Sequence, residues 1–274
     1  MGVLEGKAVM VTGAGRGLGL AYAQHAAASG AAVVVNDVDV ELAEEVAEGI
    51  RASDRRVVAS GHSVTDDGQA AAIIELCVTE FGAIDGLVDN AALNHKALPW
   101  DDDPTRVRAL VDVNVLEPLF CGMAAATAMR ERGGVVVNVA SGLVLGQPKA
   151  AAYSASKGAV ASMTFSCAVD LAAHGIRVNA VCPLAWTRMI WDDPIERENG
   201  NPELSPDRIA PLVTFLLSDL AAGVTGQLVR FQGDRLHVVR QPGIKQPGLQ
   251  RDHWEVEDFA AAFDGGLEGR RGRW

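Results

Sequence analysis

Tyr153 and Lys157 stand four residues apart in the run Tyr153-Ser154-Ala155-Ser156-Lys157. On a helix that spacing puts both on one face, where an ammonium near a phenol stabilises the phenolate. A tyrosine tuned in this way can give or take a proton near neutral pH. Chance produces such pairs often, and a glycine-rich turn far upstream, from Thr12 to Gly19, gives this one its weight. The turn follows the β-branched run Lys7-Ala-Val-Met-Val and opens onto Leu20-Ala-Tyr-Ala-Gln-His-Ala-Ala-Ala. Strand, turn and helix therefore come in the order a dinucleotide site requires. Gly13, Gly17 and Gly19 let the backbone approach a diphosphate, whose charge is met by amides at the helix N-terminus.

A second strand, Ala32-Val33-Val34-Val35-Asn36, ends in Asp37, eighteen positions past Gly19. An acid there would accept hydrogen bonds from an adenosine ribose and repel a 2′-phosphate, which points to NAD. Arg16 pulls toward NADP, because a guanidinium in the turn could pair with that phosphate. The loop Asn36-Asp37-Val38-Asp39 carries two acids and no base, and NAD is the expectation. An Asp37 that merely caps the next helix is the alternative.

The elements that must hold these groups alternate strand and helix without a Pro/Gly/Ser-rich linker, so 274 residues read as a single α/β domain. A net charge of −11 argues against nucleic acid or an anionic membrane as partner. Cys77, Cys121, Cys167 and Cys182 lack CxxC spacing and fall within expected helices or strands, as core thiols in a reducing cytoplasm do. The first strand begins within a few residues of Met1, leaving no room for a signal peptide, and no uninterrupted apolar run reaches membrane-span length. Six scattered histidines suggest no metal site.

From Lys7 to about Gly233 these motifs resemble the short-chain dehydrogenase/reductase family. The resemblance implies a doubly wound, Rossmann-type parallel sheet of about seven strands in residues 1–240, with 241–274 as a C-terminal extension and not an independent domain. It implies hydride transfer between NAD and a secondary alcohol or ketone, with Asn114, Ser141, Tyr153 and Lys157 as the catalytic set. Tyr153 would move the proton on oxygen, and Lys157 would hold the phenolate and the nicotinamide ribose. Ser141 would hold the substrate oxygen. It lies twelve residues before Tyr153 where the family has thirteen; counting back thirteen selects Ala140, and counting from the strand Val135-Val136-Val137-Asn138-Val139 selects Ser141. Pro118, four residues after Asn114, has no N–H, so the Asn114 carbonyl is released to hold a water linked to Lys157.

The same resemblance assigns Gly13, Arg16, Gly17, Leu18, Gly19, Asp37, Ser63, Val64, Asn90, Ala91, Tyr153, Lys157, Pro183 and Thr187 to the cofactor. Four positions depart from the family pattern: Asp89 and Ala92, in the run Asp89-Asn90-Ala91-Ala92 that stands where the family has NNAG, Ser63, which replaces an aspartate, and Leu184, which replaces a glycine. Weakened or lost catalysis is thus one alternative, and an NADP-dependent 3-oxoacyl carrier protein reductase is another.

Trp186, Ile190 and Trp191 in the loop 185–205, with Leu143 and Gln147, would line a pocket for a fairly large apolar substrate. The run from Gly30 to Asp37 and the segment 207–226 are similar to hydroxyacyl-CoA dehydrogenase parts of multifunctional enzyme type 2 and its bacterial relatives. A basic strip of Arg230, Arg235, Arg240, Lys245 and Arg251 could meet a CoA phosphate, so a CoA thioester is a candidate small-molecule partner. Trp254, Phe259, Phe263 and Leu267 repeat at near-helical spacing and suggest a short docking helix. A homotetramer or homodimer is expected from the resemblance.

Overall fold

A computed structural model of the chain describes residues 2–187, 201, 203–244 and 248–263. They fall into two compact units, Met1–Val239 and Arg240–Trp274. In the first, β-branched runs form β1 (Ala8–Val11), β2 (Ala32–Asn36), β3 (Val57–Ser60), β4 (Gly86–Asp89), β5 (Gly134–Val139), β6 (Ile176–Leu184) and β7 (Leu228–Gln232). All seven pair in parallel, in the spatial order 3-2-1-4-5-6-7. The order reverses beside β1, so the C-terminal ends of β1 and β4 border the crevice where a doubly wound sheet binds its ligand.

The sheet has eight strands, one more than the sequence suggests. β8 (Arg235–Val238) runs antiparallel to β7, with Gln232 opposite Arg235 and Val229 opposite Val238. Gly233, at φ 64°, supplies the left-handed residue that lets a two-residue loop turn the chain back.

Helices cover both faces. One layer packs α1 (Gly17–Ala28), α2 (Val40–Arg51) and α7 (Ala210–Leu217) on Val9, Val33, Val35, Val137 and Val181. The other packs α3 (Asp67–Phe81) and α5 (Glu117–Met129) on Met10, Val34, Leu87 and Val136, and α6 (Ala151–Asp170) lies over β6. Near-continuous burial along the central strands is what a sheet covered on both sides demands.

α4 (Pro104–Val111) continues through a wide turn, Asp112–Leu116, into α5. In that turn the Glu117 amide donates to the Asp112 carbonyl, five residues back. Pro118 has no N–H to complete the ordinary ladder, and the helix accommodates it by widening. The combined run Pro104–Met129 is long and apolar enough to cross a membrane by length and composition. Asn114, Glu117, Cys121 and Met129 are buried on one face of this run, while Val111, Leu119 and Met123 are exposed on the other.

The second unit contains α8 (Val256–Ala261), opened by a reciprocal cap between Glu255 and Asp258. Trp254 and Phe259 stack with centroids 4.9 Å apart, and Arg251 contacts both the Trp254 ring and the Asp258 carboxylate. Phe259 and Phe263 are exposed. Lys245 and Leu267 lie outside the described residues.

Candidate active site

The glycine turn joins β1 to α1 in a space too small for side chains. A Cβ on Gly19 would lie 2.3 Å from the Gly13 carbonyl oxygen, and one on Gly13 would lie 2.9 Å from the Ala91 Cα. Gly13 and Gly17 both have positive φ, at 57° and 59°. Asn90 ties this turn to the end of β4: its Nδ2 donates to the carbonyls of Thr12 (2.9 Å) and Gly13 (3.1 Å). The amides of Asn90 and Ala91 donate to Thr12 Oγ1 at 2.9 and 3.0 Å.

Helix α1 has no side-chain cap and no acid in its first turn, which leaves its terminal amides to an external anion. Among the described residues only Thr187 comes near Gly17, 3.7 Å from where a Cβ would sit. Leu18 packs on the core behind the turn. A dinucleotide diphosphate fits this cradle, with Thr187 beside it and Pro183 in the strand that delivers Thr187.

Asp37 is buried at the end of β2 and accepts from the Gly15 amide at 3.0 Å and the Asp39 amide at 3.1 Å. The cap of α2 is Asp39, which accepts from the Leu42 amide, so Asp37 is not spent as a helix cap. Arg16 is exposed at the N-cap position of α1. The Ser63 hydroxyl is engaged with the Thr65 hydroxyl at 2.9 Å, and Val64 is buried in the core.

α6 carries Tyr153 and Lys157, both buried. Burial pushes the Tyr153 phenol up to about 12, and a hydrogen bond with Ser141 opposes that rise. The Ser141 hydroxyl thus lies beside the phenol, and it also accepts from the Leu143 amide at 3.2 Å. Ala140, the other reading by count, is a core residue packed with Val160 and Ala161. The Lys157 ammonium donates to the Val139 carbonyl at 2.8 Å and lies 6.0 Å from the Tyr153 ring centroid. Burial lowers Lys157 to about 8, offset in part by Glu117, Cys182 and Asp89. The Asn114 side chain is pinned: Oδ1 accepts from the Leu93 amide at 2.8 Å, and Nδ2 donates to the Leu93 carbonyl (2.9 Å) and Ser156 Oγ (3.0 Å). Ser156 in turn donates to the Tyr153 carbonyl at 2.8 Å. One chain of bonds therefore runs from the loop after β4 to the backbone of the tyrosine.

Two residues that sequence reasoning passed over sit against this group. Asp89, the last residue of β4, and Glu117, the first of α5, are 3% and 1% exposed, and their carboxylates lie with Cys121 Sγ within 4.8 Å of one another. Both Asp89 oxygens and Glu117 Oε1 find no conventional donor. Burial raises Asp89 well above the carboxylate range and Glu117 to about 7, Asp89 being raised further by its neighbour and Glu117 held down by Thr12 and Lys157. The signal was present in Asp89, where the family has asparagine, but its partner is far along the chain.

On the substrate side, Leu143 is half-buried and Gln147 exposed in the turn after Ser141. Trp186 follows β6, its amide donating to the Leu204 carbonyl at 2.7 Å. Ile190 and Trp191 lie outside the described residues. The basic strip does not act as one set: Arg235 is 4.0 Å from Asp234, and Arg251 is held by Asp258. Arg230 differs. A Cβ on Gly142, directly after Ser141, would lie 1.8 Å from Arg230 Nη1, so the guanidinium nests over that glycine. Its side-chain partner is Gln232 Oε1 at 3.2 Å, and among the described residues no carboxylate pairs with it.

Residues 7–192 match the family model described as short chain dehydrogenase. The chain is 36% identical over 238 residues to cis-4-hydroxycyclohexanecarboxylate dehydrogenase of Sinomonas cyclohexanicum, covering 83% of this chain and 95% of that one. A short chain dehydrogenase from Mycobacterium avium superposes with a TM-score of 0.88 at 28% identity, covering 100% of this chain and 98% of the other. A 3-ketoacyl-(acyl-carrier-protein) reductase from Brucella melitensis, complexed with NADH, gives a TM-score of 0.78 at 32% identity over 85% of this chain and 99% of that one.

Proposed function

Because the chain belongs to the short-chain dehydrogenase family and is an oxidoreductase acting on CH–OH groups, we propose that it interconverts a secondary alcohol and a ketone with NAD, using Tyr153 as the acid/base. The observation that carries this is the buried group of Tyr153, Ser141 and Lys157 at the C-terminal end of β5, the same end of the parallel sheet at which the Gly13–Gly19 turn leaves β1. A bound nicotinamide supplies or accepts the hydride. Gly13, Gly17, Leu18, Gly19, Asp37, Asn90, Ala91, Pro183 and Thr187 would hold the cofactor, with Ser63, Val64 and Arg16 at its adenosine end. Ser141 holds the substrate oxygen next to the phenol, and Tyr153 passes the proton to it or takes it away. Lys157 compensates phenolate charge from behind, and Asn114 fixes the α6 backbone through Ser156. Asp37 repels a 2′-phosphate, which supports NAD over NADP.

The substrate is read as a fairly large apolar alcohol, hydroxyacyl-CoA or steroid-like, received by Leu143, Gln147, Trp186, Ile190 and Trp191. Arg230 favours a second reading, an apolar hydroxy acid whose carboxylate meets the guanidinium while its hydroxyl meets Ser141 and Tyr153. The relative named for cis-4-hydroxycyclohexanecarboxylate agrees with that reading. Four unpaired cysteines support a reducing, cytoplasmic setting, and a homotetramer or homodimer is the expected assembly.

Nicotinamide absorbance with NAD or NADP tests the proposal against hydroxyacyl-CoA thioesters, hydroxysteroids and alicyclic hydroxy acids. NAD-dependent turnover is expected, and Tyr153→Phe should lower it about 100- to 10,000-fold while cofactor binding persists. Faster turnover with NADP would remove the reading of Asp37, and a Tyr153→Phe variant as active as the parent would remove that of Tyr153.

A further inference from the structure

The end of β4 carries a chemical oddity. Asp89 and Glu117 point into a common space with Cys121, shut off from solvent and short of hydrogen-bond donors. Two carboxylates this close in a low-dielectric interior cannot both ionise. Nor is a fully protonated pair suited to the site, because it would leave the buried Lys157 cation without a counter-charge. The topology places that cation close by. Asp89 lies opposite Asn138 in the β4–β5 register, and the next residue, Val139, is the one whose carbonyl receives the Lys157 ammonium. On the other side, Thr12, just after β1, holds Glu117 below where burial alone would put it. The titratable groups facing the pair are Cys121 from α5 and Lys157 and Cys167 from α6; burial pushes both thiols up, so they stay neutral.

We propose that Asp89 and Glu117 share one proton and that the single negative charge left on the pair keeps Lys157 an ammonium. They are positioning residues: neither touches the reacting atoms, and they act through the lysine. The inference rests on the reading of Lys157 as part of the reaction, and it deepens that reading by naming what fixes the charge of the lysine in a site that desolvates it.

The test reads the lysine itself. In protein labelled with 15N at lysine side chains, the Lys157 resonance is identified by its loss in Lys157→Arg and followed against pH. Its midpoint should fall by about one pH unit in Asp89→Asn/Glu117→Gln, which removes the charge and keeps the shape. The infrared carbonyl stretch of a protonated carboxylic acid, present at neutral pH in the parent, should be lost in the same variant. An unmoved or raised midpoint in a folded double variant would overturn the proposal. Should the double variant fail to fold, Glu117→Gln alone leaves Asp89 to carry the single charge: the protonated-acid band should be lost while the Lys157 midpoint stays where the parent has it, and a band that persists would overturn the proposal. Because neither signal needs turnover, a shifted midpoint in a protein inactive on every substrate would retain the charge pairing and remove the reaction assigned to the site. Where turnover is found, the alkaline limb of its pH profile should move down with the midpoint.

Discussion

A carboxylic acid as buried as Glu117 holds its proton to higher pH in the folded chain than in the unfolded one, because burial penalises the anion. The sign of the consequence follows from proton linkage. The folded state binds more protons between the unfolded value, about 4.3, and the folded value of about 7, so stability is fully present below the first and declines as pH rises through the second. The melting temperature of the parent should therefore drop from about pH 5 to about pH 8 more steeply than that of Glu117→Gln. Parallel curves in differential scanning calorimetry would mean that Glu117 is ionised in both states. Tyr153 shows the same physics with another outcome. Its phenol is neutral in the folded chain, with Ser141 as its direct partner.

At the level of elements, the strand–turn–helix from β1 to α1 has no spare volume, and that makes it testable. Gly19→Ala would drive a methyl to 2.3 Å from the Gly13 carbonyl oxygen and 2.9 Å from the Ala14 Cα, against backbone that cannot swing away. Overpacking of this kind costs about 1–3 kcal/mol of folding stability, so a fall in melting temperature of roughly 2–10 °C is expected in differential scanning calorimetry. An unchanged melting temperature would show that the turn has room the geometry denies it. Much of this organisation was legible beforehand, because turn and helix signals are local: Thr12 to Gly19, the run ending in Asp37, and Tyr153 with Lys157 all sit where their patterns put them. Pro118 correctly marked a disturbed helix, whose form is a widened turn with Asn114 at its centre. What was not legible depends on pairing across the fold. The approach of Glu117 to Asp89, the nesting of Arg230 over Gly142 and the engagement of Ser63 by Thr65 have no periodic or motif signature. β8 was missed because a four-residue strand after a Gly-Asp turn is too short to show a period of two.

For the molecule as a whole, the hydrophobic clusters found among the described residues lie within Met1–Val239, which therefore carries its own core. A chain ended after Val239 should fold cooperatively and bind NAD with affinity within about threefold of the full chain, since the turn, Asp37 and Thr187 are all retained. Loss of cooperative melting in that truncation would make 240–274 part of the fold and not an appendage. The hairpin of β7 and β8 bears on how copies of this acidic chain can meet. An uncovered β7 would offer a row of unpaired amides and carbonyls to any strand that came alongside. β8 takes those bonds and presents four exposed residues in their place, among them Arg235. Two such borders brought together antiparallel about a two-fold axis would pair over four residues at most, with Arg235 opposite Val238, so this margin offers only a short ladder for fusion into a continuous ribbon.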